Sequence, residues 1–166
     1  GLVACACVKG PAIVQALRQF PRAQRSMVGY FRTQEARNVA TEMRRREWLN
    51  TVAVPALAAT QLLAGCSEEF LHEVAVTLSE TQHREDVVLA SSGAPSCSML
   101  IFLSGTAELL ASTGDKVGTL KTGSTFGEVS LLGLFSRWMG TVRSTSPCRI
   151  IEVTQSSLQR ALEGSS

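Results

Sequence analysis

The sequence predicts an α+β domain: a small antiparallel β-barrel or jelly roll with helices at both ends. Three observations predict it. From residue 84 the hydrophobic period changes from helical to strand-like, and short apolar runs recur between polar turns. Ahead of that point, Phe70, Leu71, Val74, Ala75 and Leu78 mark one helical face. After the last run, Leu158, Ala161 and Leu162 fall on one helical face again. The chain has 166 residues, enough for one domain with a real core and part of another.

Residues 1–20 read as a strand, a turn and a helix. Leu2 to Val8 is apolar, Lys9-Gly10-Pro11 breaks it, and Ile13, Ala16, Leu17 and Phe20 recur at helical spacing. Pro21 is expected to interrupt that helix. Residues 22–49 then read as one or two Arg-rich helices. Eight Arg stand against three Glu between Arg18 and Glu47, and Ala36, Ala40 and Met43 give only a weak apolar stripe. The Arg44-Arg45-Arg46 run reads as a solvated helix face, since no aromatics interleave it as in single-strand nucleic-acid binders. A connection with Pro55 leads to an expected short apolar helix from Leu57 to Leu63, stopped by Gly65. Ser67 is a good N-cap, and Glu68 and Glu69 suit the first turn of the next helix.

The strand-like runs follow in order. They are Asp86–Leu89, Met99–Leu103, Ala107–Leu110, Val117–Leu120, Gly140–Arg143 and Cys148–Val153. Turns are expected at Ser91–Pro95, Ser104-Gly105, Thr113-Gly114-Asp115 and Lys121–Ser124. A short helix from Gly127 to Leu134 interrupts the strands, and Ser156 or Ser157 caps the last helix.

Composition excludes several classes. Charged residues are 18% and hydrophobic residues 45%, which is globular rather than disordered. A net charge of +2 does not argue for nucleic acid, and no apolar run approaches the ~20 residues of a membrane span. Five scattered Cys give no disulfide framework, so a reducing, cytoplasmic setting is expected. Cys5 and Cys7 lack a second ligand pair, and His72 and His83 lack a neighbouring nucleophile or ligand. No nucleophile–base pair, paired acids or metal-spaced ligands point to an enzyme, and no cofactor is expected.

The candidate site is Phe126-Gly127-Glu128-Val129-Ser130-Leu131-Leu132 with Arg137-Trp138-Met139-Gly140-Thr141-Val142-Arg143. Backbone N–H groups at a helix start can hold a phosphate, a carboxylate can accept from ribose hydroxyls, and a guanidinium can fork onto phosphate oxygens. This stretch, in its strand context, resembles the cyclic-nucleotide-binding domain family, which includes kinase regulatory subunits, nucleotide-regulated channels, exchange factors and bacterial regulators. The resemblance covers Leu57 to Glu163. Cys66-Ser67-Glu68-Glu69-Phe70-Leu71, Gly105-Thr106-Ala107-Glu108-Leu109 and Gly123-Ser124-Thr125 leading into the cassette support it. It implies an eight-stranded antiparallel jelly-roll β-barrel with flanking helices, and a regulatory module binding cAMP or cGMP. It also implies roles. Gly127 and its neighbours, Val129 included, present N–H groups to the cyclic phosphate. Glu128 accepts from the ribose 2′-hydroxyl, Ser130 sits by the phosphate, and Arg137 pairs with its charge. Trp138 and Thr141 complete the cassette.

Three departures stand out. Arg137 is followed by one residue more than the family pattern, so the slot counted back from Val142 holds Trp138. The turn before the Asp86 run reads Arg84-Glu85-Asp86 where the family usually has Gly. The family's long C-terminal helix over the purine is not reached by Ser166.

The expected division is a helical segment over 1–49 and the nucleotide-binding-like domain over 50–166. Val8, Ile13, Ala16 and Leu17 match Val153, Leu158, Ala161 and Leu162 at a constant offset of 145 residues. With Gly1 rather than Met at the start, this suggests a fragment cut from a tandem array, residues 1–49 closing an upstream copy. The other reading makes them the helical linker of a channel. A non-binding domain kept for structure or protein contacts is the alternative function. Expected partners are the cyclic nucleotide and other domains of the same parent protein, with no nucleic acid and no membrane contact.

Overall fold

A computed structural model of the protein describes residues 13, 15 and 18–164. The expected Leu2–Val8 strand, the Cys5 and Cys7 pair, and the Val8, Ala16 and Leu17 side of the 145-residue echo lie outside the described residues. Contacts divide the chain into two units, one ending at Arg46 and one beginning at Glu47.

The first unit is dominated by helix α1, Pro21–Trp48, 28 residues long. Pro21 opens this helix, and Phe20 before it is not helical while residues 13, 15, 18 and 19 are, so the expected break at Pro21 is present. At the first position its missing N–H has no intrahelical acceptor to lose. No residue of α1 is buried, so the weak Ala36–Met43 stripe makes no core face.

The second unit begins inside the last turn of α1. The chain stays helical through a π-helical turn, Leu49–Ala53, into α2, Val54–Ala58, with Pro55 in its first turn. The apolar helix therefore lies earlier than Leu57–Leu63. The buried Thr60 hydroxyl donates to the Leu57 carbonyl at 2.8 Å and accepts from the Leu63 N–H at 3.3 Å, which holds a turn instead. Helix α3, Glu68–Val76, starts as expected, with Ser67 accepting from the Phe70 N–H.

Eight antiparallel strands follow. They are β1 Glu80–His83, β2 Val88–Ala90, β3 Ser98–Ser104, β4 Thr106–Leu110, β5 Lys116–Lys121, β6 Thr125–Phe126, β7 Thr141–Ser144 and β8 Cys148–Thr154. Helix α4, Glu128–Leu131, lies between β6 and β7, and α5, Gln155–Gly164, follows β8. The strands form two four-stranded sheets, ordered β1-β8-β3-β6 and β2-β7-β4-β5. The expected barrel is thus not closed. Its would-be closing strands β2 and β6 have three and two residues, and each pairs on one side only. Asp86 does not belong to β2. It takes the left-handed conformation, φ 62°, and fills the turn where a Gly is usual. Its N–H donates to the Ser144 carbonyl at 2.9 Å.

Strand alternation sorts the core into two layers. From β3 and β8, Met99, Ile101, Ile151 and Val153 face helices α2, α3 and α5, against Leu57, Leu71, Val74 and Ala161. Leu100, Phe102, Cys148 and Ile150 face the other sheet, against Ala90, Ala107 and Val142. Burial on both faces explains why Met99–Leu103 reads as an unbroken apolar run. Phe126 and Trp138 pack at the margin of this inter-sheet layer, which brings the cassette to it.

Candidate functional site

The cassette starts with a sharp turn. Gly127 is buried, takes φ 103°, and caps α4 with a left-handed backbone. Its carbonyl accepts from the Ser130 and Leu131 N–H groups at 3.0 and 2.9 Å. The N–H groups that open such a turn have no intrahelical acceptor, the property an anion uses. No other residue fits at this position. A Cβ there would strike the Trp138 ring and lie 2.6 Å from the Ser98 carbonyl oxygen.

The side chains distribute around that turn. The half-buried Glu128 accepts a hydrogen bond from the Thr125 hydroxyl, which fixes one carboxylate oxygen. The Val129 carbonyl accepts from the Leu134 N–H at 2.9 Å. Ser130 is 1% exposed, and its hydroxyl donates to the Arg137 carbonyl at 3.4 Å, so it ties the two halves of the cassette together. The Arg137 side chain is exposed and donates from Nη1 to the Gly93 carbonyl at 2.6 Å. It therefore points to the β2–β3 connection rather than to Glu128 or Ser130. Thr141, at the start of β7, accepts from the Ser92 N–H at 3.0 Å.

That connection was expected only as a turn. It is also a strap across the back half of the cassette. Pro95 and Arg137 form an antiparallel bridge. Around it the Ser96 N–H donates to the Ser136 carbonyl, the Trp138 N–H to the Ala94 carbonyl and the Gly93 N–H to the Trp138 carbonyl, each at 2.9 Å. Just beyond this ladder the chain bends at Met139-Gly140. Met139 points outward, 61% exposed. Gly140 is buried, and a Cβ there would lie 2.9 Å from the Leu110 carbonyl oxygen. Trp138 turns inward and stacks on Phe126, with ring centroids 5.4 Å apart and an interplanar angle of 17°.

A second polar cluster lies on β1 and β8, away from the cassette. Arg149 forks onto Glu80, Nε to Oε1 at 2.6 Å and Nη2 to Oε2 at 2.8 Å, and the Trp48 indole N–H adds a bond at 3.1 Å. The Arg149 hydrogen bonds hold the Glu80 carboxyl below the usual carboxylate range, against partial burial. Burial pushes the Cys148 thiol up. Cys66, Cys97 and Cys148 are free thiols. Among the described residues there is no group of three metal-ligating side chains, and no helix is long and apolar enough to cross a membrane.

Comparison with known proteins adds the family. The profile described as Cyclic nucleotide-binding domain matches residues 80–165, just over half of the chain. No curated protein matches the sequence. Several solved structures share the fold. The cyclic nucleotide-binding-like protein from Brucella abortus aligns with a TM-score of 0.60 at 20% identity, over 67% of this chain and 97% of that one. The regulatory domain of Toxoplasma gondii PKA with cAMP gives 0.60 at 20% identity, over 74% and 47% respectively. The sensor domain of the transcriptional regulator DNR from Pseudomonas aeruginosa gives 0.58 at 14%, over 67% and 80%.

Proposed function

Because this chain belongs to the cyclic nucleotide-binding domain family, we propose that it is a regulatory sensor that binds a cyclic purine nucleotide, cAMP or cGMP, at the Gly127–Thr141 cassette. The observation that carries the reading is the Arg137 guanidinium. It is solvent-exposed and rests on a neutral carbonyl, while the Arg137 backbone carbonyl is tied by Ser130 to the short helix that the Gly127 turn opens. A cyclic phosphate is a better partner for a guanidinium than a peptide carbonyl is, because the hydrogen bond becomes charge-assisted on both sides.

In this reading the N–H groups of Gly127, Glu128 and Val129 meet the cyclic phosphate. Arg137 exchanges the Gly93 carbonyl for a phosphate oxygen. Glu128 keeps one oxygen on Thr125 and offers the other to the ribose 2′-hydroxyl. Ser130 and Thr141 act as structural supports, the first on the Arg137 carbonyl and the second on the Ser92 N–H. Release of Gly93 would loosen the strap, and through it the helices flanking the sheets and further domains of the parent protein. The cAMP bound in the Toxoplasma relative supports the ligand class without deciding between the two nucleotides. Free thiols at Cys66, Cys97 and Cys148 support a reducing, cytoplasmic setting.

A second reading has one observation in its favour. The Trp138 ring lies against Gly127, where a domain that had lost its ligand would need a filler. Isothermal titration separates the two. The sensor reading expects heat with cAMP or cGMP at micromolar to millimolar concentration, weakened in Arg137→Ala. Absence of heat with both nucleotides, in the wild type and in Trp138→Ala, would leave the non-binding module.

A further inference from the structure

We propose that Trp138 is a two-position gate on the cassette, shut in this structure, with its receiving pocket already formed beside it. The proposal rests on the nucleotide-binding reading above and adds how the site is regulated. The shut position is well defined. One face of the indole stacks on Phe126, and its six-membered ring lies against Gly127, with Cη2 3.1 Å from where a Cβ would stand. The main chain of Trp138 is pinned at both ends by Gly93 and Ala94, so the indole can change place only by turning about its own side-chain bonds.

The place it can turn to is a cleft of about 370 Å³ that the indole itself borders. Leu89, Pro95 and Leu100 supply apolar walls, and Ser98 and Glu152 stand at the polar side. This chemistry matches an indole, which has a broad apolar body and one N–H that needs an acceptor once buried. Glu152 provides the acceptor. One of its oxygens is held by the buried Ser98 hydroxyl at 2.6 Å, which orients the carboxylate and leaves its second oxygen for another donor. Ser98 belongs to both positions. Its carbonyl borders Gly127 and its hydroxyl aims Glu152.

The gate gives a reason for the extra residue. The bend at Met139-Gly140 separates Trp138 from the start of β7, so the indole can move without disturbing the β4–β7 pairing. It also makes affinity adjustable. Opening breaks the Phe126–Trp138 stack, and the nucleotide must offset that loss, so the gate lowers affinity about 3- to 10-fold.

The test uses the full chain with both tryptophans replaced by 5-fluorotryptophan. The two fluorine resonances are assigned from Trp48→Phe and Trp138→Phe, and cAMP and cGMP are titrated separately with heat measured in parallel. The gate predicts that the Trp138 resonance moves in step with the heat while the Trp48 resonance stays. It also predicts that Trp138→Ala binds about 3- to 10-fold tighter than wild type, or binds where wild type shows no heat. A static Trp138 resonance during heat release overturns the gate and leaves nucleotide binding standing. Weaker binding by Trp138→Ala also overturns it, because the indole is then a ligand contact. No heat from either protein removes the sensor reading and the gate together.

Discussion

Arg149 and Arg137 each donate to an oxygen at 2.6 Å, yet the two oxygens make them different parts of the molecule. Arg149 meets the carboxylate of Glu80, itself 14% exposed on its side chain, through two bonds, and Trp48 adds a third donor. Charge there is matched inside the protein. Arg137 meets the Gly93 carbonyl, which is neutral, and brings its charge to the cassette uncompensated by that bond. The first arrangement is a structural joint between β1, β8 and Trp48, all within the second unit. The second is a resting place for a cation whose better partner would be an anion. The lesson is that an arginine's partner, more than its exposure, shows whether its charge is matched inside the protein.

The hardest way to break the cassette side is at its turn. Gly127→Ala puts a side chain at φ 103° and drives it into Trp138 and the Ser98 carbonyl. The expected loss is about 2–4 kcal/mol of unfolding free energy, read from urea midpoints, together with loss of nucleotide binding. A near-wild-type midpoint would mean that the Ser98 carbonyl gives way as well as Trp138 and the turn is not a rigid cradle. Next in size is Arg137→Ala. Its guanidinium holds one exposed neutral oxygen, so the melting temperature should stay within about 2 °C of wild type. Nucleotide affinity should fall about 10- to 100-fold, as for loss of a hydrogen bond to a charged group. A large fall in melting temperature with unchanged affinity would turn Arg137 into a second joint and erase the contrast with Arg149.

The two regions also differ in how well the sequence announces them. Ser67 as N-cap, the Met99–Leu103 and Cys148–Val153 runs and the Gly127-Glu128 turn were all legible, because local chemistry decides them. β1 was not. Glu80-Thr81-Gln82-His83 is an edge strand paired only with β8, so neither face repeats apolar residues. β6 has two residues and no period to detect. The barrel closure implied by family likeness failed because short β2 and β6 leave the sheets separate. At the cassette, Gly127, Glu128 and Arg137 were legible as residue types that suit a phosphate and a ribose. The strap was not, since Ser92–Ser96 pairs with residues some forty positions away, and its Ser, Gly, Ala and Pro read locally as a turn. Nor was the inward turn of Trp138, which depends on where Met139-Gly140 bends.

On the joint side the effects are smaller. Arg149→Ala removes two bonds from Glu80 and leaves the Trp48 N–H in place. Because Arg149 is half-exposed, the expected loss is about 0.5–1.5 kcal/mol, with nucleotide affinity unchanged. Titration with acid sharpens the same point with the least perturbation. The Glu80 carboxyl sits below its ordinary value of 4.5 in the folded protein, chiefly through the Arg149 hydrogen bonds. A depressed carboxylate binds its proton less readily folded than unfolded. Its contribution is therefore present above the ordinary value and lost as pH falls through the depressed one. Urea midpoints taken from about pH 7 down to about pH 3 should show wild type losing its advantage over Glu80→Gln on the acid side. Parallel pH profiles for the two proteins would mean that the Arg149–Glu80 fork carries no net stability, and that the joint is held by the apolar contacts of Trp48 and its neighbours instead.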